Sequence, residues 1–493
     1  MSRSLIYLVC IVLVLVLVGA AEGVPGNPDP ADRAIIRDTW VPLSWTPGDS
    51  AASHSIYVGE NRDDVKAGTG DTFRTNQTDT SYAIGFPGFP YPDGLAKGVT
   101  YYWRVEDVEA DGVTTHSSPV WSFTIAPKTA YVPDPVDGTV FVDPNVVLSW
   151  EPGYGAILHT VYFGEDYDTV NNAANGIPQG AITYTPGTLE SGKVFYWRVD
   201  EFHGVETVKG DIWSFTTSGT IGSPRPAPCA VNVKDYQILK WSPADNAASH
   251  QVYFGTDKEA VRSAGVGSPE NKGSKNLGSE SYDPGQLDRY ATYFWRVDAV
   301  ESGGGTLKGP VWTFTTADFV VVEDFEDYTD NDAAGEAIWQ TWVDGFGVGM
   351  NGSQVGYLMP PYTEQTIVHG GNQSMPLVYE IDLKYAEASL TLTSARNWTE
   401  GDGDTLILWF RGDLANAAAP IYVALNGSAD VVHNNPIATQ VDAWTEWSIP
   451  LQAFADLGVA LANVNTIAIG VGDKTNLQPL GTGTMYIDDI GVH

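Results

Sequence analysis

Asp324 and Glu326 stand two residues apart in the run Phe319-Val-Val-Val-Glu-Asp-Phe-Glu-Asp-Tyr328. On a strand, that spacing projects both carboxylates from the same face. Crowded carboxylates repel at neutral pH unless a cation neutralises them, and calcium takes oxygen ligands of this kind. The other reading is a solvated acidic edge, which discourages strand addition by neighbouring chains. A second chemistry rests on aromatics. Between Thr405 and Arg411, Leu406, Leu408 and Phe410 share one face, and Ile407, Trp409 and Arg411 share the other, with Tyr422 on the following strand. An indole offers a flat surface to the C–H face of a sugar ring, and a guanidinium can donate to its hydroxyls. Trp409, Arg411 and Tyr422 are therefore the candidate ligand contacts. A register slip of one residue would turn Trp409 into the core instead. Trp398, Trp444 and Trp447 flank turns and strand starts and are assigned to structure.

Catalytic patterns are missing. The chain has no Gly-x-Ser-x-Gly, no His-Glu-x-x-His and no Walker-type loop. Glu380-Ile-Asp382 begins a pattern used by jelly-roll glycosidases, but Tyr385 stands where its third carboxylate belongs. No catalytic residue is assigned, and the chain reads as a non-enzyme. His54, His159 and His250 recur at one position of a repeated module with no carboxylate at a fixed offset, so they read as structural.

The elements that must hold these residues come from an internal repeat. Trp45, Trp150 and Trp241 are each followed by His after nine residues and by Gly after fourteen. Each copy continues to Trp-Arg-Val, at Trp103, Trp197 and Trp295, and closes on an aromatic strand at Trp121, Trp213 and Trp312. Alternating aromatic and β-branched runs between Pro- and Gly-rich turns predict short antiparallel strands, and units of this size suit β-sandwiches. After Thr316 the repeat stops. Strands are predicted at 405–410, 420–425, 446–450, 466–471 and 484–492, with one short helix over 451–457. This is an all-β reading, with a two-sheet jelly roll at the C-terminal end. The chain has 493 residues, enough for three to four domains, and two cysteines, Cys10 and Cys229, so disulfide scaffolding is excluded. Its formal net charge of −35 disfavours nucleic acid.

Residues 30–317 resemble the fibronectin type III family in their early core Trp and in the tyrosine-corner spacing from Leu95 to Tyr101 and from Leu287 to Tyr293. The second copy departs, with Phe195 six residues after Leu189. Residues 319–493 resemble the galactose-binding-like jelly rolls used as carbohydrate-binding modules in secreted bacterial proteins. That resemblance is carried by Asp324-Phe-Glu-Asp-Tyr328, His369-Gly-Gly-Asn-Gln-Ser-Met-Pro376, Leu408-Trp-Phe-Arg-Gly-Asp413 and Tyr486-Ile-Asp-Asp-Ile490. It implies that the first and last strands are neighbours, which brings Asp488 to Asp324 and Glu326 as a structural calcium site.

Arg3, the apolar run from Leu5 to Val18 and the small residues Gly19 to Ala21 describe a secretory signal peptide. The run is too short for a membrane span, so none remains after cleavage. The resulting organisation is a signal peptide at 1–21, fibronectin type III-like sandwiches at 24–127, 128–218 and 219–317, and a jelly roll at 319–493. Two functions follow for a secreted or cell-surface protein. In one, a sandwich stalk presents a jelly roll that binds a polysaccharide or cell-surface glycan. In the other, all four domains are structural or adhesive architecture without a soluble sugar ligand.

Overall fold

The computed structural model describes residues 24–48, 50–399, 403–427 and 429–493. The signal-peptide segment lies outside them. Among the described residues no helix is long and apolar enough to cross a membrane. The fold is all-β. Among the described residues eight sheets pair into four two-layer units, whose strands span residues 26–125, 131–216, 222–316 and 320–492.

In the first sandwich a three-stranded sheet (Gly26–Asp29, Val41–Thr46, Ser81–Ile84) faces a larger one centred on Ala51–Gly59 and Thr100–Glu109. The other two sandwiches repeat this plan. The repeated tryptophans are its core: Trp103 lies 6.5 Å from Trp45 and 4.7 Å from Trp121, all three buried. The Arg of each Trp-Arg-Val is also buried, and it ties three elements together. Arg198 donates to Val170 O, Asn171 O and Ala173 O at the end of the helix Tyr167–Asn172. It also pairs with Asp200 and lies 4.4 Å from the Tyr162 ring centre. Arg296 does the same with Val261 O, Arg262 O, Ala264 O, Asp298 and Tyr253. A guanidinium is well suited to this, since it satisfies orphan helix carbonyls and stacks on an aromatic at once. The tyrosine corners form, with Tyr101 Oη accepting from Ala96 N and Tyr293 Oη from Asp288 N, each at 2.9 Å. Phe195 leaves the second copy without that bond.

Two of the repeated histidines have hydrogen-bonded carboxylate partners, at offsets that differ between the copies. His54 Nδ1 lies 2.6 Å from Asp107, and His159 Nδ1 lies 2.5 Å from Glu201, both across adjacent strands. Loop length varies between copies, so the offset from His is not constant. Counted from Trp103 and Trp197 it is four in both. In the third copy that position is Ala299, which faces His250. His250 is fully buried, with both ring nitrogens lacking a hydrogen bond.

The sandwiches do not simply follow one another as a stalk. Arg33 of the first reaches Asn232 of the third at 2.7 Å, and Tyr102 packs edge-on to Tyr290. Trp312 of the third donates from Nε1 to Gly138 O of the second at 3.0 Å. The third sandwich thus touches the other two, and through Lys234 and Arg225 it also touches the jelly roll.

The jelly roll packs a sheet ordered Ser353–Val355, Met375–Asp382, Pro479–Val492, Thr405–Arg411, Thr445–Pro450 against one ordered Trp342–Val343, Ala386–Thr391, Thr466–Val471, Ile421–Leu425, Ala429–Val432. The first strand, Val320–Glu323, pairs with the last, as the resemblance implies. Leu406, Leu408 and Phe410 enter the core, as the period-two pattern requires. The expected helix runs from Leu451 to Asp456.

Candidate functional site

Trp409 lies half-buried on the outer face of its sheet. Register places Glu446 and Asp488 on either side of it in one row, and Arg411 opposite Tyr486. His369 arrives from the loop before Met375 and stacks on the indole, with ring centres 3.8 Å apart and planes 14° apart. Trp444 meets His369 edge-on at 5.8 Å. The imidazole is oriented by Asp489, whose carboxylate lies 2.7 Å from Nδ1. The result is an aromatic surface of His369, Trp409 and Trp444, with Arg411 beside it. Among the described residues, no ion pair engages the Arg411 guanidinium.

The loop carrying His369 is closed at its base by Glu364, which exchanges backbone hydrogen bonds with Ser374 at 3.1 and 2.9 Å. The Glu364 carboxylate accepts from the Thr366 and Ile367 amides and from the hydroxyls of Thr366 and Tyr357. Burial alone would raise its pKa, but these donors hold it down at about 2. At the far end, Asp488 accepts from His369 N at 2.9 Å and Gly370 N at 3.2 Å. Burial and the neighbouring Asp489 push Asp488 up to about 8. Burial likewise raises Glu446, which accepts from Ser448 Oγ at 2.8 Å.

Tyr422 is not part of this surface. The strand after Thr405–Arg411 crosses to the other sheet, so Tyr422 occupies the opposite outer face of the sandwich. There it is buried, its hydroxyl donates to Glu387 at 3.1 Å, and the Lys474 ammonium lies 4.8 Å from its ring centre. It packs over Gly470, where any side chain would collide with the phenol.

The three expected calcium ligands are engaged separately. The first strand ends at Glu323, and Phe325 turns the chain with φ 59°, so Asp324 and Glu326 do not share a strand face. Asp324 meets Lys234 Nζ of the third sandwich at 2.8 Å. Glu326 accepts from Asn372 N at 2.8 Å and Gln373 N at 3.0 Å. Asp488 holds the His369 and Gly370 amides. Among the described residues no group of three His, Cys, Asp or Glu is arranged to hold a metal ion. The geometry does not fit a calcium ion on Asp324, Glu326 and Asp488.

Sequence reasoning missed His369, Asp489 and Glu446, and it placed Trp444 with the structural residues, where Trp398 and Trp447 do belong. The signal for His369 was its Gly-Gly neighbour, a loop able to approach a strand closely. Gly347, Gly349 and Gly352 stand at dinucleotide-loop spacing, but they lie between two short strands, Trp342–Val343 and Ser353–Val355, rather than between a strand and a helix.

No family model matches the chain, and no curated protein does. Among solved structures it is similar to a carbohydrate-binding module of the β-sandwich superfamily (11% identity, TM-score 0.24, covering 55% of this chain and 97% of that one). It is similar to the FN1–FN3 domains of chicken CNTN1 (14%, 0.16, 60% and 100%). A third is SGBP-B of the Bacteroides ovatus mixed-linkage glucan utilization locus, in complex with a mixed-linkage heptasaccharide (12%, 0.18, 97% and 98%). At these scores the likenesses carry no inference for this chain.

Proposed function

We propose that the chain is a secreted or cell-surface, non-catalytic protein whose jelly roll binds a glycan on the face around Trp409. The observation that supports this is the grouping of Trp409, His369 and Trp444 beside the Arg411 guanidinium, which no ion pair engages among the described residues, on an outer sheet face. Stacked rings give an apolar platform for a sugar face, while Arg411 and the flanking Glu446 offer a donor and an acceptor for hydroxyls. Retention of the full chain on insoluble polysaccharides, with Trp409→Ala and Arg411→Ala as controls, tests the reading. Loss of retention in both variants with unchanged melting supports it, and no retention of the wild type on any polysaccharide refutes it.

A second reading has its own observation. His369 already covers one face of the Trp409 indole, and the third sandwich contacts all the other domains. A packed four-domain surface protein without a soluble sugar ligand uses the same features structurally. A Trp409→Ala protein that melts early, from a wild type that retains no polysaccharide, favours that reading.

A further inference from the structure

The second and third sandwiches leave a cavity of about 320 Å³ between them. Its walls are tied by contacts across the interface. Trp312 donates to Gly138 O, Lys258 pairs with Asp137 at 2.9 Å, and the Tyr167 hydroxyl donates to Glu259 at 3.0 Å. Walls fixed in this way lower the ordering cost of binding, and clefts between domains are frequent ligand sites. The volume suits a single ring rather than a long chain.

Inside, Tyr167 and Tyr196 meet edge to face with centres 5.7 Å apart. The Arg262 guanidinium lies 3.8 Å from the Tyr167 ring centre, its Nε held by Glu259 at 2.8 Å. The four carboxylates of the lining are answered: Asp137 by Lys258, Glu165 by Lys193 at 2.8 Å, Asp166 by the Thr169 amide at 2.7 Å, and Asp168 by Arg262 at 3.9 Å. The groups left without a hydrogen-bond or ion-pair partner among the described residues are donors, the Tyr196 hydroxyl and the Lys308 ammonium. Burial pushes the Tyr196 phenol up to about 12, so it remains a neutral donor. The lining carries five cations, Lys193, Lys258, Arg262, Arg296 and Lys308, against four carboxylates.

We propose that this cleft binds an acidic sugar, a hexuronate residue, with its ring against Tyr196 and its carboxylate on Lys308. The apolar C–H face of the pyranose suits a phenol ring, and a carboxylate on an ammonium forms the stronger, charge-assisted kind of hydrogen bond. A neutral hexose lacks the charge and acetate lacks the ring. The cleft is separate from the face around Trp409 and does not depend on what that face binds.

Isothermal titration of the full chain with galacturonate, galactose and acetate tests the assignment. Saturable binding of galacturonate alone is expected, weaker at high salt. Lys308→Ala should weaken it about tenfold or more, the scale of one charged hydrogen bond. Tyr196→Phe, which removes a single oxygen, should weaken it by about threefold or more and serves where Lys308→Ala melts early. Trp409→Ala should leave it unchanged. Absence of galacturonate binding, equal binding of galactose or acetate, or wild-type affinity in both cleft variants would overturn the proposal.

Discussion

Lys234 of the third sandwich places its Nζ 2.8 Å from the Asp324 carboxylate at the opening of the jelly roll. The same ammonium lies 3.0 Å from Asp327 and 3.3 Å from Glu323, so one cation compensates three crowded carboxylates across a domain junction. Arg225 adds bonds to Glu326 O and Tyr328 O. Of the three carboxylates that suggested calcium, Asp324 is thus met by a lysine, while Glu326 and Asp488 are met by backbone amides. Lys234→Met should destabilise the full chain by about 2–4 kcal/mol, between the cost of an exposed and a buried broken pair. Denaturant midpoints of Lys234→Met, Asp324→Asn and the double variant check this. A coupling energy near zero would show that the two residues do not act together.

The loop that brings His369 to Trp409 depends on an ionised Glu364. Its folded pKa, about 2, lies below the ordinary 4.5, so its stabilisation is fully present above pH 4.5 and is lost as pH falls through 2. Glu364→Gln should cost about 1–2 kcal/mol at pH 7 after allowance for solvent screening, and the cost should shrink as the pH is lowered towards 2 and vanish below it. Thermal melts of both proteins across that range are the measurement. A constant gap at all pH values would assign the loss to shape rather than charge.

The histidine position should respond differently in different sandwiches. His54→Leu leaves one oxygen of the buried Asp107 carboxylate unanswered, the other keeping the Gly48 amide, and should cost about 1–3 kcal/mol. His250→Leu removes two ring nitrogens that make no hydrogen bond, with Glu280 no nearer than 3.9 Å from Nδ1, and it should be neutral or stabilising. Equal losses in the two variants would mean that packing on Trp45 and Trp241, not the carboxylate, sets the energy.

Gly222, which opens the first strand of the third sandwich, lies flat against the Phe141 ring of the second, where any side chain would collide with the phenyl. Gly222→Ala should therefore loosen the junction and cost about 1–3 kcal/mol by overpacking. The fragment 128–317 should melt above an excised 219–317, because Trp312 and Lys258 lose their partners in the shorter piece. Identical melting of the two fragments would show that the contact contributes nothing.

Near-neighbour chemistry was legible before any fold. Period-two alternation sends Leu406, Leu408 and Phe410 inward and Trp409 outward whatever sheet they join, because successive side chains on a strand must alternate. The recurring Trp, Arg and His marked three equivalent sandwiches, since each copy solves the same core and helix-capping problem with the same residues. Even the Asp107 and Glu201 partners were readable as a constant step from Trp103 and Trp197. What alternation cannot state is which sheet a strand enters, so Tyr422 came to the face opposite Trp409. Nor can it state how a loop closes. His369 reaches Trp409 and Asp489 only because the chain returns 120 positions later, and Lys234 meets Asp324 across 90. Contacts at such separations are set by how whole sheets and domains pack, and charge or spacing along the strand leaves their partners open.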